Sequence, residues 1–483
     1  MKITVIPLDS RPCNTVWLND LAKMAGYELT MYPRALCGDL LVGANFDQML
    51  AWLDDEITDT DYLIVAADGL CSGGLVQARL GQIDAFAVMD RLEVFSEYKK
   101  RFPHLKIYVF DTIMRTSITA LNKETEKYWG KMNEYSRLLG RTYFFNDEKE
   151  KAKLQELLQE IPADMIATYT KARQVKHELN KFFLDLVNQQ IVDYLLLLQE
   201  DSMPYGVQKI EQEVLQRMIK HQQLEKRVKF YNGTDEGGVV LLGKIILEIK
   251  KISPSLFVHL PHPDVLAKVM LFEDQLFSEN LKQMLETMGF KTTDSWEQAD
   301  FILSIYAEAR NINLDTNSTI PILPTKDNQY HCYIKELNQF LHSHRPVALV
   351  DLLFPNGGSW DLLLDIDLKK LQVYSAWNTA SNAMGSALCE IAAKIANPQK
   401  NNFKFRNERF LDDCLYQYIV RRTVNEKYLK KGYNVYHLGV NSDEVLSEIR
   451  MLMQQYDDWL GITNYRITLP WHRTFEAEII IEE

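Results

Sequence analysis

Tyr194-Leu-Leu-Leu-Leu-Gln-Glu-Asp-Ser-Met-Pro-Tyr-Gly206 is a short apolar run that ends abruptly in two adjacent carboxylates. A run with no polar alternation reads as a strand covered on both faces, as in parallel sheets. Pro204 can open the first turn of a helix behind it. The same sequence of apolar run, polar end and amphipathic helix recurs along the chain. Further strands are expected from Ile3 to Leu8, Tyr62 to Ala67, Lys106 to Phe110, Val228 to Tyr231, Leu256 to Leu260, Phe301 to Tyr306, Val347 to Val350 and Gln372 to Ser375. Helical spacing covers 76–100, 119–139 and 175–190, and is clearest from Ala380 to Ala396, between Asn378-Thr379 and Asn397-Pro398. This alternation predicts an α/β fold of parallel βα repeats, as a (β/α)8-type barrel with helical insertions and a C-terminal α+β extension. A large open doubly wound sheet is the alternative. The expected organisation is one catalytic domain over 1–400, with insertions at 141–170 and 262–345, followed by an extension over 401–483. The second insertion contains a proline- and asparagine-bearing loop from Thr316 to Gln329.

The 483 residues are 46% hydrophobic and 25% charged, a globular profile. Lys plus Arg is 54 and Asp plus Glu is 66, a formal charge of −12, so a phosphate backbone is repelled on average and nucleic acid is not expected as a partner. No stretch reaches the length of a membrane span, and the apolar start is cut by Pro7, Asp9 and Arg11 before it can serve as a signal peptide. The expected compartment is the cytoplasm, without a membrane partner. Homo-oligomer formation is compatible with the sequence. The six cysteines are dispersed with no Cys-x-x-Cys pair and read as reduced thiols.

In parallel α/β folds the reactive groups gather where strand C-termini meet the following loops. Reading past each expected strand gives Asp9, Arg11 and Asn14, then Asp68 and Arg79, Asp111, Glu200 and Asp201, Asp235 and Glu236. His259, His262, Glu308 and Asp351 follow, and finally Trp377, Asn378 and Asn382. Any one of these acids is equally well explained as a helix cap; their density across strands points to a polar cleft. The adjacent pair Glu200-Asp201 is the sharpest feature, because mutual repulsion favours protonation of one acid, while a following helix N-terminus opposes it. Arg11 has a fork of donors suited to bracing the nearby aspartates. Trp377 beside asparagines can offer a stacking face to a sugar.

Metal and nucleotide signals are weaker. The turn from Asp68 to Arg79 matches neither the dinucleotide nor the P-loop fingerprint, so no cofactor is expected. His259-Leu-Pro-His262 and His342-Ser-His344 lack ligand spacing, and no metal ligand is assigned. A divalent cation among Asp9, Asp68 and Asp111 is the alternative.

Pro7-Leu-Asp-Ser-Arg-Pro-Cys-Asn14, the Asp68 to Arg79 turn, Gln199-Glu-Asp-Ser-Met-Pro-Tyr-Gly206, Asp235-Glu236, Trp377-Asn-Thr-Ala-Ser-Asn382 and Pro470-Trp-His-Arg473 together resemble a bacterial family, domain of unknown function 4127. The resemblance spans almost the whole chain and implies no activity. In that pattern two aspartates commonly stand where this chain has Glu200 then Asp201. Counted as the end of the fourth strand of a barrel, the acid pair also resembles that of barrel glycosidases, including N-acetylhexosaminidases that act through the substrate's own acetamide. That second resemblance implies Glu200 as the orienting acid and Asp201 as the proton donor. Asp9, Arg11, Asn14, Asp68, Arg79, Asp111, Asp235, Glu236, Trp377, Asn378 and Asn382 are then expected to bind a small carbohydrate. Two alternatives are a metal-dependent hydrolase or lyase, and a non-catalytic carbohydrate-binding or regulatory protein.

Overall fold

The structure, a computed structural model, describes residues 1–308, 326–400 and 403–482. The loop expected from Thr316 to Gln329 lies, as far as residue 325, outside the described residues. All nine expected strands are present. The first six strands are β1 (Ile3–Ile6), β2 (Leu29–Met31), β3 (Tyr62–Ala66), β4 (Lys106–Ile113), β5 (Tyr194–Gln199) and β6 (Val228–Asn232). They form one parallel sheet in the order β2-β1-β3-β4-β5-β6. A second parallel sheet contains β7 (Ser255–His259), β8 (Lys291–Thr292), β9 (Phe301–Tyr306), β10 (Val347–Asp351) and β11 (Val373–Ser375), in the order β11-β10-β9-β7-β8. A two-stranded antiparallel ribbon of β12 (Tyr465–Thr468) and β13 (Glu478–Ile481) completes the strands among the described residues.

The fold is therefore α/β with parallel sheets, divided between two sheets; a closed barrel is not among the strand pairings found. Read from its short edge strand, the second sheet runs β8-β7-β9-β10-β11, which repeats the order of the first five strands of the first sheet. Both orders reverse direction between a central pair of strands, and in such sheets ligands bind outside the carboxyl ends at that reversal.

The chain divides into two compact units. The first comprises Met1–Asn19, Glu28–Leu241 and Phe272–Gln275; the second comprises Asp20–Tyr27, Leu242–Leu271 and Leu276–Glu483. The main division falls at Leu241, inside the span 1–400 expected to be one domain. In the first unit β3 is wholly buried, and Leu63, Val65, Ile107, Val109, Leu195 and Leu197 join helix residues Leu179, Phe183 and Val187 in one core. Continuous apolar strands are what this double coverage requires. In the second unit, Ile302, Leu349 and Tyr374 pack with Leu337, Phe340 and Phe410. The expected helix over 76–100 is broken into Leu75–Ala78, Ala85–Leu92 and Val94–Arg101; Asp84 caps the second piece through Phe86 N and Ala87 N, restarting the helix there. The helix Ala380–Ala396 has the bounds its caps predict. No helix among the described residues is long and apolar enough to cross a membrane, and none of the six cysteines, all of them among the described residues, forms a disulfide.

Candidate active site

The carboxyl ends of the first sheet carry two linked ion-pair groups. Asp9 follows β1, and its carboxylate accepts from Arg11 N (3.1 Å), Arg11 Nε (3.0 Å) and Asn14 Nδ2 (2.9 Å). Arg11 turns its other edge to Asp235, with Nη1 to Oδ2 at 2.9 Å and Nη2 to Oδ1 at 2.5 Å. All four residues are buried. One guanidinium thus braces two aspartates from the ends of β1 and β6, which is what its planar fork permits and a lysine would not. Burial pushes the Asp235 carboxyl up, against the pull of Arg11.

The second group is built on β5. Glu200 continues the ladder, its N–H donating to Ile113 O at 3.1 Å. Its carboxylate is bound by Arg79 and accepts from Arg115 N at 3.2 Å, with Arg115 Nε 3.8 Å away. Asp201 is bound by the Arg115 guanidinium. The two neighbours differ in access: the Glu200 side chain is 3% exposed and that of Asp201 is 32% exposed. Arg115 is itself set in place by Arg173, whose Nη1 donates to Arg115 O at 2.7 Å and to Met114 O at 3.1 Å while its other side holds Glu211. Arg79 also acts electrostatically on Asp235, which links the two groups.

Glu236 is wholly buried. Its Oε2 accepts from Thr234 N at 2.8 Å, and its Oε1 has no partner among the described residues. Burial pushes its carboxyl up to about 8, with smaller contributions from Asp235 and Glu273. Gly233, at φ +153°, makes room for it, since a Cβ there would stand 1.7 Å from Oε1. The segment Phe272–Gln275 closes this end: Ser202 N donates to Phe272 O at 2.8 Å, and Asp274 accepts from Gln208 Nε2 (2.9 Å) and Gln212 Nε2 (2.8 Å).

Asp68 and Asp111 form a separate brace. Asp111 does not end its strand, because β4 continues to Ile113; this corrects its expected place at a strand end. It is gripped by Lys176, and Asn180 Nδ2 donates to it at 2.6 Å. Asp68 lies inside the short helix Ala67–Ser72 and is bound by Lys176 and Thr112. Lys176 and Asn180 belong to the helix Ala163–Asn188, which packs on β4 and β5, so this group fastens helix to sheet. Burial pushes Asp68 up to about 6, against the opposing effect of Lys176. The divalent-cation alternative meets positions already filled: Lys176 bridges Asp68 and Asp111, while Arg11 and Asn14 hold Asp9. No group of His, Cys, Asp and Glu suited to a metal occurs among the described residues.

Trp377, Asn378 and Asn382 belong to the second unit, at the end of β11 and the first turn of Ala380–Ala396. Trp377 is buried with Nε1 donating to Ser386 Oγ at 2.9 Å. Asn378 adopts φ 54°.

Arg115, Arg173, Lys176 and Asn180 also build these groups, though none stands at an expected strand end. Three of them carry a signal: Tyr169, Ala172, Arg173, Lys176, Leu179, Asn180 and Phe183 form the buried stripe of one helix, and charged residues within such a stripe must find partners. Arg115, two residues past β4, carries none.

Fold and site together define a two-unit parallel α/β protein with a carboxylate–arginine cluster at the carboxyl edge of its first sheet. The chain belongs to the family described as a protein of unknown function, DUF4127, whose model matches residues 3–480. No curated protein and no solved structure matches it.

Proposed function

We propose that the first unit is a glycoside hydrolase acting on a β-N-acetylhexosaminide by substrate assistance. One observation carries this reading: Glu200 and Asp201 are consecutive at a strand end, yet one is buried and fixed while the other is a third open to solvent. Substrate assistance calls for this division. Glu200, held by Arg79 and by the Arg115 amide, accepts from the acetamide N–H, so the acetamide oxygen is aimed at C1. As that oxygen bonds to C1, the glycosidic C1–O bond breaks and Asp201 gives its proton to the departing oxygen. Water then bonds to C1 as the C1–O bond to the acetamide oxygen breaks, which restores the acetamide, and the proton the water loses goes to Asp201. A carboxyl bound to a guanidinium is a poor proton donor, so substrate entry moves Arg115 off Asp201 in this scheme. The comparison with barrel glycosidases is kept only for the order of the two acids. The pair ends the fifth strand here, because the three-residue β2 precedes it, and closure of the sheet is not required. Purified protein is expected to release the aryl group from an aryl β-N-acetylhexosaminide, and no release across aryl glycosides of several sugars would overturn the reading.

A further inference from the structure

The loop that carries the acid pair runs on into an exposed aromatic surface. Glu200 and Asp201 are followed by Ser202-Met-Pro-Tyr-Gly206, and the Tyr205 ring stands 5.3 Å from that of Phe145, the two planes meeting at 66°. Phe145 is the last residue of the helix Lys123–Phe145. Tyr205 is 44% exposed and Phe145 53%, and Tyr143 and Phe144 are exposed in the same last turn. Adjoining apolar side chains left in water in this way mark a contact site.

The surface is braced, electrically balanced and near Asp201. Gly140 lets the helix meet the loop, since a Cβ there would stand 2.6 Å from Tyr205 O, and Ser136 Oγ accepts from Val207 N at 3.1 Å. Arg141 lies over both rings, with Cζ 5.1 Å from the Phe145 centroid and 5.3 Å from that of Tyr205. Its Nε donates to the two oxygens of Glu150 at 2.6 Å and 2.7 Å. The guanidinium thus steadies the rings, and because Glu150 answers its charge, the surface favours neither an anion nor a cation. Thr116 spans the gap to the acids: its N–H donates to Asp201 O at 3.0 Å, and its Cγ2 would lie 2.8 Å from a Cβ at Gly206, next to Tyr205.

We propose that Tyr205 and Phe145 form a stacking platform for a neutral sugar on the leaving-group side of Asp201, so that the substrate is an oligosaccharide of N-acetylhexosamine. The inference rests on the proposed hydrolysis for its ligand class. In that scheme Asp201 gives its proton to the departing oxygen, so the chain continuing from Asp201 borders the departing sugar. A sugar ring offers a C–H face that aromatic rings take up, while its hydroxyls stay in water. Two rings already held against each other lose little freedom on binding, which favours affinity.

Calorimetry reads binding apart from turnover when the full chain carries Asp201→Asn and is titrated with N-acetylglucosamine and with its β-1,4-linked tetramer. The tetramer is expected to bind about tenfold tighter than the monosaccharide or more, and Tyr205→Ala in that background to weaken tetramer binding about fivefold or more. Tyr205→Trp, which keeps a ring face, is expected to retain the affinity. Tetramer binding no tighter than the monosaccharide, equal tetramer affinity with and without Tyr205→Ala, or a loss in Tyr205→Trp as large as that in Tyr205→Ala would overturn the platform. Self-association of the chain that sedimentation shows to vanish with Tyr205→Ala would do the same, by assigning the surface to a second copy. Tetramer binding as expected, with no aryl release by the wild type, would overturn the hydrolase reading alone; aryl release without a tetramer preference would overturn the platform alone.

Discussion

Lys176→Met removes the cation that bridges Asp68 and Asp111. The three side chains are 2%, 1% and 0% exposed, so solvent screening does not discount the interaction as it would at a surface. Breaking a buried pair by deleting one partner costs about 3–5 kcal/mol, because the remaining charge is left uncompensated. At about 2.1 cal/mol/K of unfolding entropy per residue, that corresponds to a fall in Tm of about 3–5 °C for the 483-residue chain unfolding as one. The loss has a pH signature. Asp68 is already raised from 3.8 to about 6 by burial, and Lys176 is the chief influence opposing that rise. An acid raised in the folded state binds more protons folded than unfolded, so stability falls as pH climbs from the unfolded value through the folded one. Without Lys176 the folded value of Asp68 rises further, and the penalty widens at about 1.4 kcal/mol per pH unit. The variant is therefore expected to be closer to wild type at pH 5 than at pH 8. The triple change Lys176→Met, Asp68→Asn, Asp111→Asn is expected to recover much of the loss at pH 8. Scanning calorimetry of the full chain at both pH values measures this. A cost below about 1 kcal/mol, or one equal at pH 5 and 8, would refute the assignment of a charged brace.

Three further outcomes are expected. Glu390 is wholly buried with Lys394 Nζ 3.5 Å from its Oε1, and burial pushes it from 4.5 up to about 7 against the pull of Lys394. Its stability contribution is therefore intact below about pH 4.5 and declines by about 3 kcal/mol by pH 7, and urea titrations of Glu390→Gln should lack that decline. Gly233→Ala brings a Cβ to within 1.7 Å of Glu236 Oε1 at a positive φ; a loss of about 1–3 kcal/mol or more in thermal stability is expected, and an unchanged melting temperature would contradict the packing described. Arg11→Met strands Asp9 and Asp235 and should cost about 3–5 kcal/mol at pH 8, with partial recovery on adding Asp235→Asn.

The strands were legible because double-sided burial writes itself as continuous apolar sequence, as in Tyr62–Ala66 and Tyr194–Gln199. Leu29–Met31 and Lys291–Thr292 were not: they are three half-buried and two exposed residues, too short and too mixed to show a period. The division into two sheets was also hidden, since β6 and β7 look alike locally and only long-range pairing separates them. Asp111 was misplaced because Asp and Thr in Phe110-Asp-Thr-Ile113 read as a strand end, whereas Lys176 and Asn180 from a distant helix satisfy the aspartate inside the strand. The strand-end acids of β1, β5 and β6 were legible by position, but their arginine partners were only partly so. Arg11 and Arg79 stand in motifs beside the acids, while Arg115 lies in a loop with no pattern of its own.

The most direct test of the catalytic reading compares steady-state cleavage of an aryl β-N-acetylhexosaminide by wild type and Asp201→Asn, with matched melting curves as the folding control. The account predicts measurable turnover in the wild type and a fall in kcat of about a hundredfold or more in the variant, the scale of a lost general acid. Equal turnover in the two proteins would contradict it.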